Sequence, residues 1–207
     1  MTLQNGAGHE DLLKEFVDED HIVIGTTEDN GAVLGMGHVR RGGTGVTNVG
    51  MLVEDKEGFL PQLKEAFDQC GFNVKIHENI QTLIWDKLFT NVSLSALTGV
   101  LQVDMGYIAA NEYAWNLCCQ LIHETVKTAA AAGLNFDEEK VREKVKNTSI
   151  NNPNGCTSIR ADLRDGRRTE VDTISGAVVR AAHKYGVEVP GHECIVRLVH
   201  AMEGRNK

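Results

Sequence analysis

The 207-residue chain is predicted to be an α+β protein, with an α/β part over residues 1–78 followed by an all-helical part over residues 79–207. Three observations predict this. Glycine is frequent and short β-branched runs recur up to about residue 78. Beyond it, glycine becomes sparse until Gly99 and apolar residues recur with the 3.6-residue helical period. Turn chemistry then punctuates that helical pattern at Gly133, Gly186 and Pro190.

The elements follow in order. "LQNGAG" at the front is an apolar lead-in ending in Asn5-Gly6, the pattern of a strand running into a tight loop. "HIVIGTT" (His21 to Thr27) is a short strand ending at Gly and Thr. "GAVLGMGHVRRGGTGVTNVGMLV" predicts two strands joined by a turn at Arg41-Gly42-Gly43-Thr44. In "GFLPQLKEAFDQCGF", Leu60, Leu63, Ala66 and Phe67 share one helical face and Gly71 is a C-cap. "NVKIHE" is another strand. Helices are predicted over about 80–98, 112–132, 137–147, 157–164, 169–185 and 191–203. "NTSINNPNGCTS" reads as a polar loop, with turn residues at Asn152-Pro153-Asn154-Gly155.

Composition removes several function classes. The formal net charge is -8 and 42% of residues are hydrophobic. An acidic chain has no broad electrostatic claim on nucleic acid or anionic membrane. No segment has the length of a membrane span or the flanks of a signal peptide. The five cysteines, Cys70, Cys118, Cys119, Cys156 and Cys194, form no C-x-x-C pair. They read as free, mostly buried thiols of a reducing compartment, which points to the cytoplasm. His123-Glu124 lacks the second histidine of H-E-x-x-H, so no metal is expected. "RRGGTGVTNVG" has no G-K-[ST], and Asn48 stands where G-x-G-x-x-G needs its third glycine. It reads as a hairpin.

"KLFTNVSLS" raises the chemical question. Lys87, Asn91 and Ser95 are four apart and fall in one file along a helix. Their neighbours Ile84, Leu88, Phe89, Val92 and Leu94 are apolar. Two readings stand: the file is the solvated side of the helix, with Lys87 snorkelling, or it is one wall of a ligand cleft. In a cleft, an ammonium can protonate a developing alkoxide, and an amide and a hydroxyl can hold a carbonyl or carboxylate. In "TSIRADLRDGRRTEVDTISGAVV", Thr157 or Ser158 can cap one helix. Thr169 can cap the next, with Asp172 in capping-box position. Alternatively, Ser158 and Glu170 face one cleft.

Together the segments "LQNGAGHEDLL", "IVIGTT", "IWDKLFTNVSLSALTGVL", "LIHETVKTAAAAGL", "CTSIRADLRDGRRTEVDTISGAVVRAAHKYGVEVP" and "LVHAMEGR" resemble the ketopantoate reductase (2-dehydropantoate 2-reductase) family. The signatures I-W-x-K-L-x-x-N and S-x-x-x-D-x-x-x-G-R-x-T-E-x-D are specific as a pair. The resemblance implies a truncated Rossmann-type part followed by an all-α domain like the C-terminal fold of 6-phosphogluconate dehydrogenase. It implies NADPH-dependent reduction of a 2-oxo acid such as 2-dehydropantoate to the 2-hydroxy acid, as in pantothenate biosynthesis, in a site between the domains. By the same resemblance Lys87 is the proton donor. Asn91, Ser95 and Ser158 lie on the substrate, and Asn5, Gly31 and Glu170 lie on the cofactor. The expected partners are a small 2-oxo acid and, as an open alternative, a second copy of the chain in a homodimer.

The chain departs from the family pattern at Ser95, Met105 and Gly155, each of which stands where a substrate-side Asn often occurs. The phosphate-binding G-x-G-x-x-G is absent too. The chain is therefore expected to be a fragment lacking at least one βαβ unit of about 30 residues, with weak NADPH binding and slow or no turnover. Two other readings stay open. One is a non-catalytic helical domain for dimerisation or binding. The other is a reductase or dehydrogenase for a different acid.

Overall fold

The computed structural model describes residues 1–204. The chain divides into two compact units. The first holds Met1–Gln4 and Gly8–Ile84, and the second holds Asn5–Ala7 and the chain from Trp85 onward.

The first unit is built on a three-stranded sheet. β1 (Val23–Thr27) pairs antiparallel with β4 (Val46–Met51), and β4 pairs parallel with β5 (Asn73–Ile76). The parallel pair requires a crossover, which α2 (Phe59–Gln69) supplies. At the front, Thr2 makes a single parallel bridge to Ile24, and the short helix α1 (His9–Leu13) follows. Val23, Val49, Met51, Leu60 and Val74 form the core, with Leu3, Leu63 and Phe67 packed on it. Ala66, expected on that face, is exposed. Asp55 caps α2 by accepting from the N–H groups of Phe59 and Leu60, both at 2.8 Å.

β2 (Gly31–Gly35) and β3 (His38–Arg41) form a separate, exposed hairpin that closes at Met36-Gly37. This corrects the expected turn at Arg41–Thr44. That stretch instead connects β3 to β4, and a strand follows it, as the hairpin reading required and a phosphate loop would not. Gly37 lies at φ +70°, which suits a tight reversal after Met36.

The second unit is helical, and the helix that leads into it, α3 (Ile80–Thr90), has its first residues, through Ile84, in the first unit. α3 runs through a π-helical turn at Asn91–Ser95 into α4 (Ala96–Leu101). Then come α5 (Met105–Ala110), α6 (Glu112–Ala131), α7 (Glu138–Asn151), α8 (Ser158–Arg164), α9 (Ser175–Tyr185) and α10 (Pro190–Glu203). α6 packs against the π turn and against α5, α7, α9 and α10. Phe89, Val92, Leu94, Ile108, Leu121, Ile122, Ile159, Val178 and Val199 fill the core. Phe89 meets Phe136 edge-on at 4.9 Å. Gly186 ends α9 at φ +68°, and Pro190 occupies the first turn of α10.

Four expectations fail here. α7 runs on to Asn151, so the first five residues of the polar loop expected from Asn147 are helical. α5 was not foreseen. Residues 169–174 form turns, so the expected 169–185 helix begins only at Ser175. The cysteines are free, but of the five only Cys118 is buried, with Cys70, Cys156 and Cys194 exposed.

Candidate active site

The π turn is the first feature of the site. The Ala96 N–H reaches back to the carbonyl of Asn91, a five-residue step in place of four. The Ser93 hydroxyl donates to the carbonyl of Phe89 at 2.6 Å, four residues back. A π turn widens the helix and rotates everything beyond it relative to an α-helical period, and such turns concentrate at functional sites. The expected single file is therefore broken. Lys87 and Asn91 are half-buried, whereas Ser95 is only 3% exposed. The Ser95 hydroxyl is buried and makes no hydrogen bond among the described residues. An unpaired buried hydroxyl costs about 1–3 kcal/mol.

α8 packs against α4 and the π turn. Gly99 permits this, because a Cβ there would come within 2.4 Å of Ile159 Cγ2. Thr157 stands at the N-cap of α8 in extended conformation. Its hydroxyl lies 2.7 Å from that of Thr98 and makes no capping bond. Ser158 follows it as the first residue of α8 and is exposed.

Asn5 and Glu170 meet directly. The Asn5 side-chain amide donates to Glu170 Oε2 at 3.2 Å, and both residues are half-buried. Gly6 allows the approach. It sits at φ +97°, and a Cβ there would lie 1.9 Å from the Thr173 carbonyl oxygen. The Ala7 N–H donates to that same oxygen at 3.0 Å.

Glu170 lies in the turn segment that was expected to start a helix. Thr169 does not cap that helix. Its N–H and hydroxyl both donate to Glu203 Oε1, at 2.7 and 2.8 Å, and its hydroxyl accepts from the Val171 N–H at 3.2 Å. Asp172, expected in a capping box, instead bonds His200 Nε2 at 2.9 Å. Burial penalises the Glu203 carboxylate. The Thr169 N–H, His200 and the Thr169 hydroxyl together outweigh that and hold its pKa below the ordinary value. The bond to Glu203, helped by Asp172, holds the His200 pKa above its ordinary value.

Of the residues named from sequence, Asn5 and Glu170 are in contact, and Lys87, Asn91 and Ser95 share one continuous helical run whose π turn, holding Asn91 and Ser95, packs against α8. Gly31 belongs to the other compact unit, on the exposed hairpin. Met105 and Gly155, two of the positions that depart from the family pattern, are neighbours: the Met105 N–H donates to the Gly155 carbonyl at 3.1 Å. Sequence reasoning missed Thr98, Thr157 as a partner of Thr98, His200 and Glu203. The three-residue spacing of His200 and Glu203 on one helix face was the available signal for the last two.

Other titratable groups lie apart from this arrangement. Asp18, Asp20 and His21 bring ligand-type atoms within 4.8 Å of one another, but all three are exposed in the first unit. Glu124 is buried and caps α10, accepting from the Gly191 and His192 N–H groups at 3.0 and 3.1 Å. Among the described residues no helix is long and apolar enough to cross a membrane.

Two family models match the chain: "Ketopantoate reductase PanE/ApbA C terminal" over residues 79–203, and "Ketopantoate reductase PanE/ApbA" over residues 1–54. A 2-dehydropantoate 2-reductase of Halobacterium salinarum is 30% identical over 199 residues, which cover 96% of this chain and 65% of that protein. One from Streptococcus pyogenes is 29% identical over 204 residues, covering 98% of this chain and 66% of the relative. The chain thus spans just under two thirds of the length of these relatives. Among solved structures, D-mandelate dehydrogenase with NADH and anilino(oxo)acetate superposes with a TM-score of 0.89 at 29% identity, covering 99% of this chain and 66% of that one.

Proposed function

Because the chain belongs to the ketopantoate reductase family, we propose that its residues serve the NADPH-dependent reduction of a 2-oxo acid such as 2-dehydropantoate to the 2-hydroxy acid. The single observation that carries this is the direct contact of Asn5 with Glu170, two residues 165 positions apart in sequence. A contact over that separation is what the cofactor assignment requires of them.

The chemistry divides among this chain's side chains. Bound NADPH supplies a hydride to the carbonyl carbon of the 2-oxo acid. Lys87, half-buried on α3, gives a proton to the carbonyl oxygen as negative charge develops there. Asn91 orients the substrate from the start of the π turn, and the exposed hydroxyl of Ser158 donates to its carboxylate. The buried Ser95 hydroxyl is a further polar group on the substrate side. A carboxylate and an amide side by side suit the hydroxyls of a ribose, so Asn5 and Glu170 fit the nicotinamide end of the cofactor. Gly31 keeps its cofactor-side assignment by resemblance alone. The pyrophosphate has no matching feature, since no G-x-G-x-x-G occurs in the 207 residues. The chain by itself therefore binds NADPH weakly and turns over slowly. Its free thiols suit the reducing cytoplasm, and a homodimer is the assembly proposed.

A second reading concerns the acid. Ser95, Met105 and Gly155 shorten or remove polar groups, and Met105 contacts Gly155. That favours a 2-oxo acid with a more apolar side group than 2-dehydropantoate. The D-mandelate dehydrogenase, solved with anilino(oxo)acetate, is consistent with it.

The test is a single-turnover experiment with the chain in excess over NADPH and each of several 2-oxo acids, quantifying the 2-hydroxy acid formed. The rate is expected to fall about 100-fold or more in Lys87→Ala. Equal rates for the variant and the unmodified chain would remove Lys87 as proton donor.

A further inference from the structure

Glu170 sits in a segment with little regular structure of its own. Between α8 and α9, residues 169–174 make turns. The N–H groups of Thr173 and Ile174 both point to the Glu170 carbonyl, at 3.1 Å each. Nothing in that local pattern fixes where the Glu170 carboxylate lies relative to Asn5.

Bonds from α10 supply the missing constraint. Glu203 Oε1 accepts both the N–H and the hydroxyl of Thr169, the residue just before Glu170. Two residues after Glu170, Asp172 Oδ1 is 2.9 Å from His200 Nε2. The other ring nitrogen of His200 is 2.9 Å from Glu203 Oε2. One face of the last helix therefore grips the chain on both sides of Glu170. Arg180 adds a bond from Nη1 to the Asp172 carbonyl at 2.8 Å, and Arg168 reaches Asp172 Oδ2 at 3.4 Å. The Glu203 side chain is 14% exposed, so Thr169 donates two charge-assisted bonds to it largely out of water.

We propose that Glu203, seconded by His200, is a positioning residue that holds Thr169 and so sets where the Glu170 carboxylate meets the Asn5 amide. Its consequence for binding rests on the reading of Asn5 and Glu170 as the cofactor pair. Glu203 touches neither reacting atoms nor cofactor in this role. It acts through the backbone and hydroxyl of Thr169.

The test uses the full 207-residue chain, isotope-labelled, with Glu203→Ala, Glu203→Gln and His200→Gln. Three quantities are read: the Asn5 side-chain amide resonances, amide hydrogen exchange at Thr169 and Val171, and NADPH affinity by fluorescence. In Glu203→Ala the Asn5 resonances shift, exchange at both amides speeds up about tenfold or more, and NADPH affinity drops. Glu203→Gln keeps an oxygen acceptor for Thr169 and restores all three, and His200→Gln gives a smaller change of the same kind. Should Glu203→Ala fail to fold, Glu203→Asp, one methylene short, shifts the same resonances. Wild-type Asn5 resonances and exchange in a folded Glu203→Ala or Glu203→Asp variant would overturn the inference. If those move as stated while Asn5→Ala and Glu170→Ala leave NADPH affinity unchanged, the positioning role stands and the cofactor reading falls.

Discussion

Within the helical unit, Gly6 packs closely on Thr173, and an alanine there makes a quantitative case. The added Cβ would fall 1.9 Å from the Thr173 carbonyl oxygen and 2.5 Å from its carbon. Restoring a tolerable contact requires a shift of about 1 Å or more, which stretches the 3.0 Å bond from Ala7 to Thr173 beyond bonding range. The 3.2 Å bond from Asn5 to Glu170 is pulled apart by the same movement. The two bonds contribute about 0.5–1.5 kcal/mol each, and a side chain at φ +97° adds about 1–2 kcal/mol of backbone strain. The docking of Asn5–Ala7 should thus weaken by about 2–5 kcal/mol, a factor of roughly 30 to 5,000 in its opening equilibrium. Hydrogen exchange at the Ala7 amide measures this directly. Gly58→Ala is the control, because Gly58 also has positive φ, +68°, but nothing lies within 4 Å of its Cβ position. Unchanged Ala7 protection in Gly6→Ala, or an equal loss in Gly58→Ala, would refute the close-approach reasoning.

Other outcomes follow from the same structure. Burial pushes the Cys118 thiol up to about 12, so a thiol reagent should modify Cys70, Cys156 and Cys194 quickly and leave Cys118 unmodified until the chain unfolds. Burial holds the His192 pKa below its ordinary value, so the unfolded chain takes up a proton there that the folded chain does not. That contribution to stability is lost as pH falls through about 6.5 and toward the lower folded value, at no more than about 1.4 kcal/mol per pH unit. Urea unfolding midpoints against pH should lose this slope in His192→Gln. Asp55→Ala removes both capping bonds of α2 and should cost about 1 kcal/mol in urea unfolding, whereas Glu54→Ala should cost little.

Much of the fold was legible because it was local. Gly186 and Pro190 bracket the loop between α9 and α10 as their backbone preferences dictate, and the β-branched run before Gly25 forms β1. What failed depended on partners far along the chain. Thr169 and Asp172 have the spacing of a capping box, but Glu203 and His200 take up their polar groups and the helix starts six residues late. The π turn has no sequence signature. It coincides with Ser93 bonding back onto the chain and with packing against α6 and α8. Glycines at 35, 37, 42, 43 and 45 left several places for a reversal, and the pattern alone did not choose Met36-Gly37. For the site, Lys87, Asn91, Ser158 and Glu170 came from the paired signatures. Their spacing on an ideal helix would have put Ser95 in the same file, which the π turn prevents.

The substrate-side assignment is open to a direct measurement that does not depend on turnover. Titrating the isotope-labelled chain with 2-dehydropantoate, and in parallel with a 2-oxo acid bearing an aryl group, locates the ligand by resonance shifts. If Lys87, Asn91 and Ser158 hold the acid, the largest shifts fall on the Lys87 and Asn91 side chains and the Ser158 amide, and Lys87→Ala weakens binding. Shifts confined to the first unit, or absent from Lys87, Asn91 and Ser158 at saturating acid, would contradict the assignment.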